Sequence, residues 1–113
     1  MTKKDKELLF KELCARLPYK IKVKVSEVSY PVEFDVQMLA EIKNNNWYEY
    51  PIPYLRPMSS MTEEERRTYD NLACDFDGIS MAASIDWLNE NMFDYRGLIP
   101  MGLALEAPED MYK

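Results

Sequence analysis

The spacing of apolar residues changes from a helical to an extended period at Pro18, and this change restricts the fold more than any other feature. Before it, apolar residues recur at i, i+3, i+4 and i+7, which predicts an amphipathic helix over 4–17. Its predicted apolar face is Leu9, Phe10, Leu13, Cys14 and Leu17. The helix ends at Pro18 because the residue before a proline avoids the α region.

Polar residues of the same helix predict its start and its solvent face. Thr2 and Asp5 have the spacing of a capping box. Two ion pairs at i,i+4 spacing are expected on the solvent face, each contributing a few tenths of a kcal/mol: Glu7 with Lys11, and Glu12 with Arg16.

Alternating apolar and polar residues after Pro18 predict two half-buried strands. In the first, Tyr19, Ile21, Val23 and Val25 alternate with Lys20, Lys22, Lys24 and Ser26. In the second, Val32, Phe34, Val36 and Met38 alternate with Glu33, Asp35 and Gln37. If the two strands pair antiparallel, the lysine face of the first meets the acidic face of the second. This pairing explains both charge runs without a ligand.

A third extended segment is predicted over 47–54, after a turn at 44–46. It contains Pro51 and Pro53, which are two residues apart and therefore lack their N–H groups on the same side. We expect an edge strand that is paired on its other side.

The second half of the chain is predicted to be mainly helical, after a linker over 55–60. Thr62 and Glu65 have the spacing of a second capping box. The helix that follows has a predicted apolar face of Tyr69, Leu72, Ala73 and Phe76, and it ends at Asp77 and Gly78. Another helix is predicted from Met81, Ile85, Leu88 and Met92, followed by a tail with a short extended segment over 103–105.

These elements predict an α+β fold: an N-terminal helix, a small curved antiparallel sheet or partly open barrel, then two or three C-terminal helices. The chain has 113 residues, of which 47% are hydrophobic, and this favours one domain over 1–113. Its two parts are 1–55, with the helix and strands, and 62–113, with the helical half and tail.

Composition makes several functions improbable. The chain has no histidine, so the usual neutral-pH general base, the Ser-His and Cys-His pairs and histidine zinc ligands are missing. Cys14 and Cys74 are predicted to be free, buried thiols in a reducing cytoplasm. There is neither a signal-peptide pattern nor a membrane-spanning apolar run. We expect a cytoplasmic protein without catalytic residues, metal or other cofactor, and no membrane association.

Acidic residues offer one weak candidate metal site. Asp75 and Asp77, with Asp70 and Asp86 nearby, resemble part of an EF-hand loop. Ser80 occupies the position where that loop requires glycine, so a capping aspartate is the favoured interpretation.

Two surfaces are candidates for binding. A protein-interaction surface is predicted from the aromatic segment and an adjacent methionine-rich stretch: Trp47, Tyr48, Tyr50, Tyr54, Met58 and Met61. The alternative is an anion or nucleic-acid surface made of Lys20, Lys22 and Lys24. Net charge is −6, with +5 over 1–24 and −11 over 25–113, and an acidic body favours a basic protein partner over nucleic acid. Oligomeric state stays open between a monomer and a small homo-oligomer.

Two segments of the second half resemble a known group of proteins. Residues 53–65 read PYLRPMSSMTEEE, and residues 85–108 contain IDWLN, FDYRGLI and GLALEAP. Both are similar to segments of small uncharacterised proteins encoded in gut Bacteroides genomes, often in phage or prophage neighbourhoods. The resemblance implies no activity and no catalytic residue. It implies an accessory protein of a mobile element that acts by binding another protein.

Overall fold

The structure is a computed structural model that describes residues 2–25, 28–43, 51–73 and 78–112. It confirms the predicted α+β order of an N-terminal helix, a small sheet and C-terminal helices. The helices are α1 (Lys3–Arg16), α2 (Val36–Lys43), α3 (Glu63–Ala73) and α4 (Gly78–Glu90). The strands are β1 (Lys22–Lys24), β2 (Val32–Glu33), β3 (Ile52–Leu55) and β4 (Leu105–Glu106), and 3-10 turns span Leu17–Tyr19 and Met58–Ser60.

Helix α1 starts at the predicted capping box. The Thr2 hydroxyl accepts from the Asp5 amide, and the Asp5 carboxylate accepts from the Thr2 amide, both at 3.1 Å. Leu9 and Leu13 are fully buried, as their spacing predicts. The rest of the predicted face differs: Phe10 and Leu17 are half-buried, Cys14 is exposed, and Glu12 and Arg16 are fully buried.

The sheet has the order β2-β1-β3-β4, is open rather than barrel-shaped, and is mixed rather than wholly antiparallel. β1 pairs antiparallel with β2, and Lys22 lies opposite Glu33. This register confirms the predicted meeting of the basic and acidic strand faces at that position. β1 also pairs antiparallel with β3, whereas β3 and β4 are parallel.

The first strand is shorter than its alternation predicts. Tyr19 belongs to the 3-10 turn that contains Pro18, and Lys20 has a left-handed backbone with φ of 62°. The Lys20 amide donates to the Leu17 carbonyl at 3.4 Å, which closes this turn before β1 begins.

The prediction of a strand continuing to Met38 is wrong. β2 ends at Glu33, and Asp35 then caps α2 by accepting from the Met38 amide at 2.9 Å. Met38, Leu39 and Ile42 have helical spacing, and Ile42 is buried. An aspartate cap together with this apolar pattern favours a helix over a strand.

The prediction that the third extended segment is an edge strand is also wrong, because β3 lies inside the sheet. The N–H and C=O of one strand residue point to the same side, so Leu55 and Pro53 of β3 share the side of β4, and Pro53 has no N–H group to offer there. Pro51 lies just before β3. The pairing still forms because the Leu55 carbonyl accepts from the Ala107 amide at 2.8 Å.

The helical half begins at the second predicted capping box. The Thr62 hydroxyl accepts from the Glu65 amide at 3.1 Å, and the Glu65 carboxylate accepts from the Thr62 amide at 3.0 Å. In α4, Leu88 is buried as predicted, but Ile85 is 42% exposed. Met92 is buried beyond the end of α4. Phe76, Asp77 and the side chain of Met81 lie outside the described residues.

The core brings together both halves of the chain. Its buried members are Leu9, Leu13, Ile21, Val23, Phe34, Ile42, Leu55, Met92, Leu98, Leu103 and Ala104. The predicted final strand over 103–105 is found at Leu105–Glu106, where the chain pairs with β3. Leu103 and Ala104 lie just before it and are buried in this core. Among the described helices, none is long and apolar enough to cross a membrane.

Candidate functional site

A groove of about 520 Å³ lies between the start of α3 and the C-terminal segment that follows β4. Its volume is within the usual range of binding pockets. We call it the α3–β4 groove. It is lined by Arg56, Pro57, Ser60, Thr62, Glu65, Asn91, Glu106, Ala107, Pro108, Glu109 and Tyr112.

Arg56 occupies the wall of this groove and is fixed from several directions. Its amide donates to the Met92 carbonyl at 2.7 Å, and its carbonyl accepts from the Asp94 amide at 2.8 Å. Its guanidinium carbon lies 4.1 Å from the centre of the Phe93 ring. The same guanidinium donates to both oxygens of Glu65, at 2.8 and 2.7 Å. A bidentate pair held against an aromatic ring has little freedom to rearrange.

Glu65 connects this ion pair to the start of α3, because the oxygen that caps Thr62 also accepts from Arg56. The hydrogen bonds from Arg56 are the main reason that the pKa of Glu65 falls from 4.5 to about 2. Partial burial opposes this shift, and the Thr62 hydrogen bonds support it. Glu65 is therefore ionised at neutral pH.

Two ring contacts extend the groove wall into the helical half. Phe93 stacks on Trp87 with ring centres 5.6 Å apart, and Trp87 contacts Tyr69 at 6.2 Å. Tyr69 is on α3 and Trp87 on α4. The two helices and Arg56 thus share one aromatic cluster, which fixes α3 relative to the sheet.

Tyr112 closes the C-terminal side of the groove. Its hydroxyl donates to the Tyr54 carbonyl at 2.7 Å and accepts from the Lys22 amide at 3.1 Å. Burial is the main cause that raises the pKa of Tyr112 to about 12. The side chain therefore stays neutral at physiological pH and fixes the C-terminal segment to β1 and β3.

Glu106 and Glu109 form the acidic rim of the groove. Both residues are exposed. The ion pairs and side-chain hydrogen bonds in the described part of the chain involve neither carboxylate. Because Arg56 is neutralised by Glu65, the two rim carboxylates leave the groove with an excess of two negative charges.

None of the predicted protein-interaction residues in the described part of the chain lines this groove. Met58 and Met61 are half-buried and belong to the segment that supplies Pro57, Ser60 and Thr62 to the wall. Tyr54 is half-buried in β3, and its carbonyl is occupied by Tyr112. The other predicted aromatic residues, Trp47, Tyr48 and Tyr50, lie outside the described residues.

The lysines of the alternative surface lie along the first strand and the turn before it. Lys22 and Lys24 share one face of β1, while Lys20 is exposed in the left-handed turn. Glu33 lies opposite Lys22 in the register of β1 and β2, which places an acidic residue on the lysine face.

The described part of the fold does not support the candidate metal site at Asp75 and Asp77. Asp70 and Asp86 are exposed on α3 and α4, whereas Asp75 and Asp77 lie outside the described residues. Among the described residues, no three histidine, cysteine or acidic side chains are grouped for a metal ion.

The prediction of buried thiols is wrong for Cys14, which is exposed. The inner face of α1 contains Glu12 and Arg16 beside Leu9 and Leu13. Partial burial still raises the pKa of the Cys14 thiol, and Lys43 offsets part of this effect. Cys74 lies outside the described residues.

The prediction that Glu12 and Arg16 pair on the solvent face of α1 is wrong, because both side chains are fully buried. Together with the half-buried Arg96 they form a cluster that we call the buried charged cluster. The Glu12 carboxylate binds Arg16 through one oxygen and lies 3.3 Å from Arg96 through the other. Arg16 also donates to the Phe93 carbonyl. The cluster links α1 to the segment after α4, and its three side chains line no part of the groove. The sequence signal for this cluster is the presence of two long charged residues, Glu12 and Arg16, at i,i+4 positions on the apolar side of α1.

Most of the groove is not predictable from the sequence. No local pattern marks Arg56, Glu106, Glu109 or Tyr112, and the spacing of Glu65 from Thr62 predicts only a helix cap. Nothing local in the sequence indicates that the segments over 56–65 and 106–112 lie side by side.

No protein-family model matches this chain, and neither a curated protein nor a solved structure matches it significantly. The geometry of the groove is therefore the basis for a functional proposal.

Proposed function

We propose that this chain is a non-enzymatic protein-binding domain and that it holds a segment of another protein in the α3–β4 groove. The observation that carries the proposal is the groove itself. It combines a fixed wall, made by Arg56 on Phe93 and Glu65, with an exposed acidic rim of Glu106 and Glu109. A rigid concave surface with unpaired charge at its rim is suited to selective binding.

The pKa values of two groove residues favour binding over catalysis. A general acid or base works best when its pKa lies near the operating pH. The pKa values of Glu65 and Tyr112, about 2 and about 12, lie far from neutrality in opposite directions. The chain also has no histidine. These groups hold the groove in shape and are poorly suited to transferring protons.

Charge favours a protein partner over nucleic acid. The excess negative charge at the groove repels phosphate groups, and the body over 25–113 carries −11. The lysine face of β1 is the alternative nucleic-acid surface, but the acidic Glu33 lies opposite Lys22 on that face. The described contacts therefore support the groove more strongly than the lysine face.

The resemblance of segments in 53–65 and 85–108 to small proteins of gut Bacteroides genomes, often in phage or prophage neighbourhoods, extends the proposal to a biological setting. We infer an accessory protein of a mobile element that acts in the bacterial cytoplasm. The first of these segments forms one wall of the groove through Arg56, Pro57, Ser60 and Thr62. The second includes Glu106, Ala107 and Pro108 on the other wall.

Site-specific photo-crosslinking tests the proposal. A photoreactive amino acid replaces Ser60 in the groove, and in a parallel variant it replaces Lys4, which is exposed on α1. Both proteins are irradiated in a lysate of a gut Bacteroides strain, and the crosslinked peptides are identified by mass spectrometry. We expect one defined protein partner from position 60, with its crosslinks confined to one segment.

A pair of matched variants supplies the control. E106Q/E109Q removes two carboxylates from the groove, and D70N/D86N removes two exposed carboxylates from α3 and α4. Crosslinking at position 60 should be lost in the first and kept in the second. Equal capture from positions 4 and 60, or none from either, contradicts a groove-directed protein-binding function.

A further inference from the structure

The charge balance of the α3–β4 groove favours a cationic occupant. Arg56 is the basic residue in the lining, and Glu65 neutralises it through two hydrogen bonds. Glu106 and Glu109 remain at the rim without an ion pair among the described residues. A bound segment with two positive charges would balance this excess.

The nonpolar lining suits a long side chain that ends in a charge. Pro57, Ala107 and Pro108 offer aliphatic surface, and Tyr112 offers an aromatic ring. Arginine and lysine cover such surface with their methylene stems while the charged end reaches a carboxylate or lies over a ring. The lining and the rim therefore favour the same two residue types.

Hydrogen-bonding groups in the groove favour a polypeptide over a simple polycation. Asn91 donates one amide proton to the Trp87 carbonyl at 2.9 Å, which leaves its second amide proton and its oxygen for a ligand. The Thr62 hydroxyl accepts from the Glu65 amide and retains its own proton. These groups match the C=O and N–H of a peptide backbone, whereas a polyamine has N–H donors but no C=O acceptor.

The edge strand beside the groove is poorly suited to pairing with a further strand. β4 contains two residues, and Pro108 follows it without an N–H group. We therefore expect the side chains of the occupant to make most of its contacts with the groove. Any backbone pairing with β4 would involve only a few residues.

We propose that the occupant of the α3–β4 groove is an extended segment of a partner protein that carries at least two arginine or lysine side chains. This inference rests on the protein-binding function proposed above and specifies its partner class. Glu106 and Glu109 bind the charged ends, and Asn91 and Thr62 bind the backbone.

Amide chemical-shift mapping with a defined probe tests the inference on the full chain. The probe is a blocked, water-soluble octapeptide of alternating arginine and glycine. We expect saturable shifts of the Thr62, Ala107 and Glu109 amides. Removal of both rim carboxylates in E106Q/E109Q should weaken binding at least about fivefold, while D70N/D86N should bind as the unchanged protein does.

Further outcomes separate this inference from its alternatives. Equal weakening in both variants would overturn it, because it would indicate diffuse attraction to an acidic protein. Equal shifts with spermidine at the same concentration would also overturn it, in favour of simple cation binding. Shifts that appear with an alternating glutamate and glycine peptide, and not with the arginine peptide, would assign the groove to an acidic partner.

Crosslinking at position 60 distinguishes the two levels of proposal. If the arginine peptide gives no groove shifts but a defined protein still crosslinks there, the basic-segment inference fails and the protein-binding function stands. If neither occurs, both fail.

Discussion

Glu12 and Arg16 form an ion pair whose two side chains are completely buried, although their i,i+4 spacing is also typical of a solvent-exposed helix pair. The pair is not isolated. Arg96 approaches the second Glu12 oxygen, and the guanidinium groups of Arg16 and Arg96 lie 5.4 and 5.2 Å from the Tyr95 ring centre. A buried charge requires such compensation, so the cluster fixes α1 against the segment over 93–96.

Replacing Glu12 with alanine should destabilise the protein strongly. E12A leaves Arg16 buried without its carboxylate, and breaking a buried pair in this way costs about 3–5 kcal/mol. Urea unfolding followed by circular dichroism measures the loss. E7A is the matched control on the exposed face of the same helix, where a change within about 0.5 kcal/mol is expected.

The double variant E12M/R16M separates the charge effect from packing. It removes both charges and retains side-chain volume, so it should be less destabilising than E12A. If the double variant is as unstable as E12A, the loss of stability comes from altered packing of the helix face and not from the unpaired charge.

Glu65 should make the stability of the protein fall in strong acid. Its pKa is lowered in the folded state to about 2, from an ordinary 4.5. Its contribution is therefore complete above pH 4.5 and is lost as the pH falls towards 2. Thermal unfolding across this range should show a steeper decline for the unchanged protein than for E65Q.

The same variant has a predicted cost at neutral pH. E65Q replaces a bidentate, charge-assisted pair by weaker contacts, and we expect a loss of about 1–2 kcal/mol. E63Q is the control in the same helical turn, because its ion pair with Arg67 is exposed and 3.5 Å long. A pH profile of E65Q that matches the unchanged protein would contradict this role of Glu65.

Features decided by neighbouring residues were predicted well. Both capping boxes form as the spacings of Thr2 with Asp5 and Thr62 with Glu65 indicate. The alternation around Val23 predicts its burial in β1. These interactions lie within a few residues of each other, so a sequence pattern describes them directly.

Features decided by distant segments were not predicted. Arg16 binds the Phe93 carbonyl 77 residues along the chain, and no local pattern distinguishes this from a solvent-facing pair. The place of β3 inside the sheet depends on β4, more than forty residues later. Around Asp35, the alternation of apolar residues favours a strand, whereas the spacing of Asp35 and Met38 favours a helix cap. The Asp35 carboxylate accepts from the Met38 amide, and a helix forms there.

In the candidate site, too, the features set by neighbouring residues differ from those set by distant segments. Met58 and Met61 lie in the segment that supplies Pro57, Ser60 and Thr62 to one groove wall, but neither lines the groove, and their role in protein binding stays a prediction. The opposite wall comes from Glu106, Glu109 and Tyr112, which reach the groove only when β4 pairs with β3. A groove between distant segments is a property of the fold rather than of either segment.

Cys14 should be open to alkylation in the folded protein. The residue is exposed, while partial burial raises the pKa of its thiol and lowers the thiolate fraction. We expect native-state labelling by iodoacetamide at neutral pH that is slower than labelling of free cysteine. Peptide mass spectrometry after a time course measures the rate at this position.

Labelling of Cys14 that begins only in denaturant would contradict this placement. C14S provides the stability control, since a small substitution at an exposed position should change the free energy of unfolding by no more than about 0.5 kcal/mol.

Tyr112 should limit stability at high pH, in the direction opposite to Glu65. Its pKa rises from 10.0 to about 12 because folding favours the neutral phenol, so its contribution is complete below pH 10.0 and is lost as the pH rises through 12. Y112F should cost about 1–2 kcal/mol, because the Lys22 amide loses its acceptor. It should also remove a late component from the ultraviolet titration of the tyrosines. Y30F changes a side chain that is 66% exposed, so this variant should retain the late component. Loss of the late component in Y30F would show that Tyr112 is not its source.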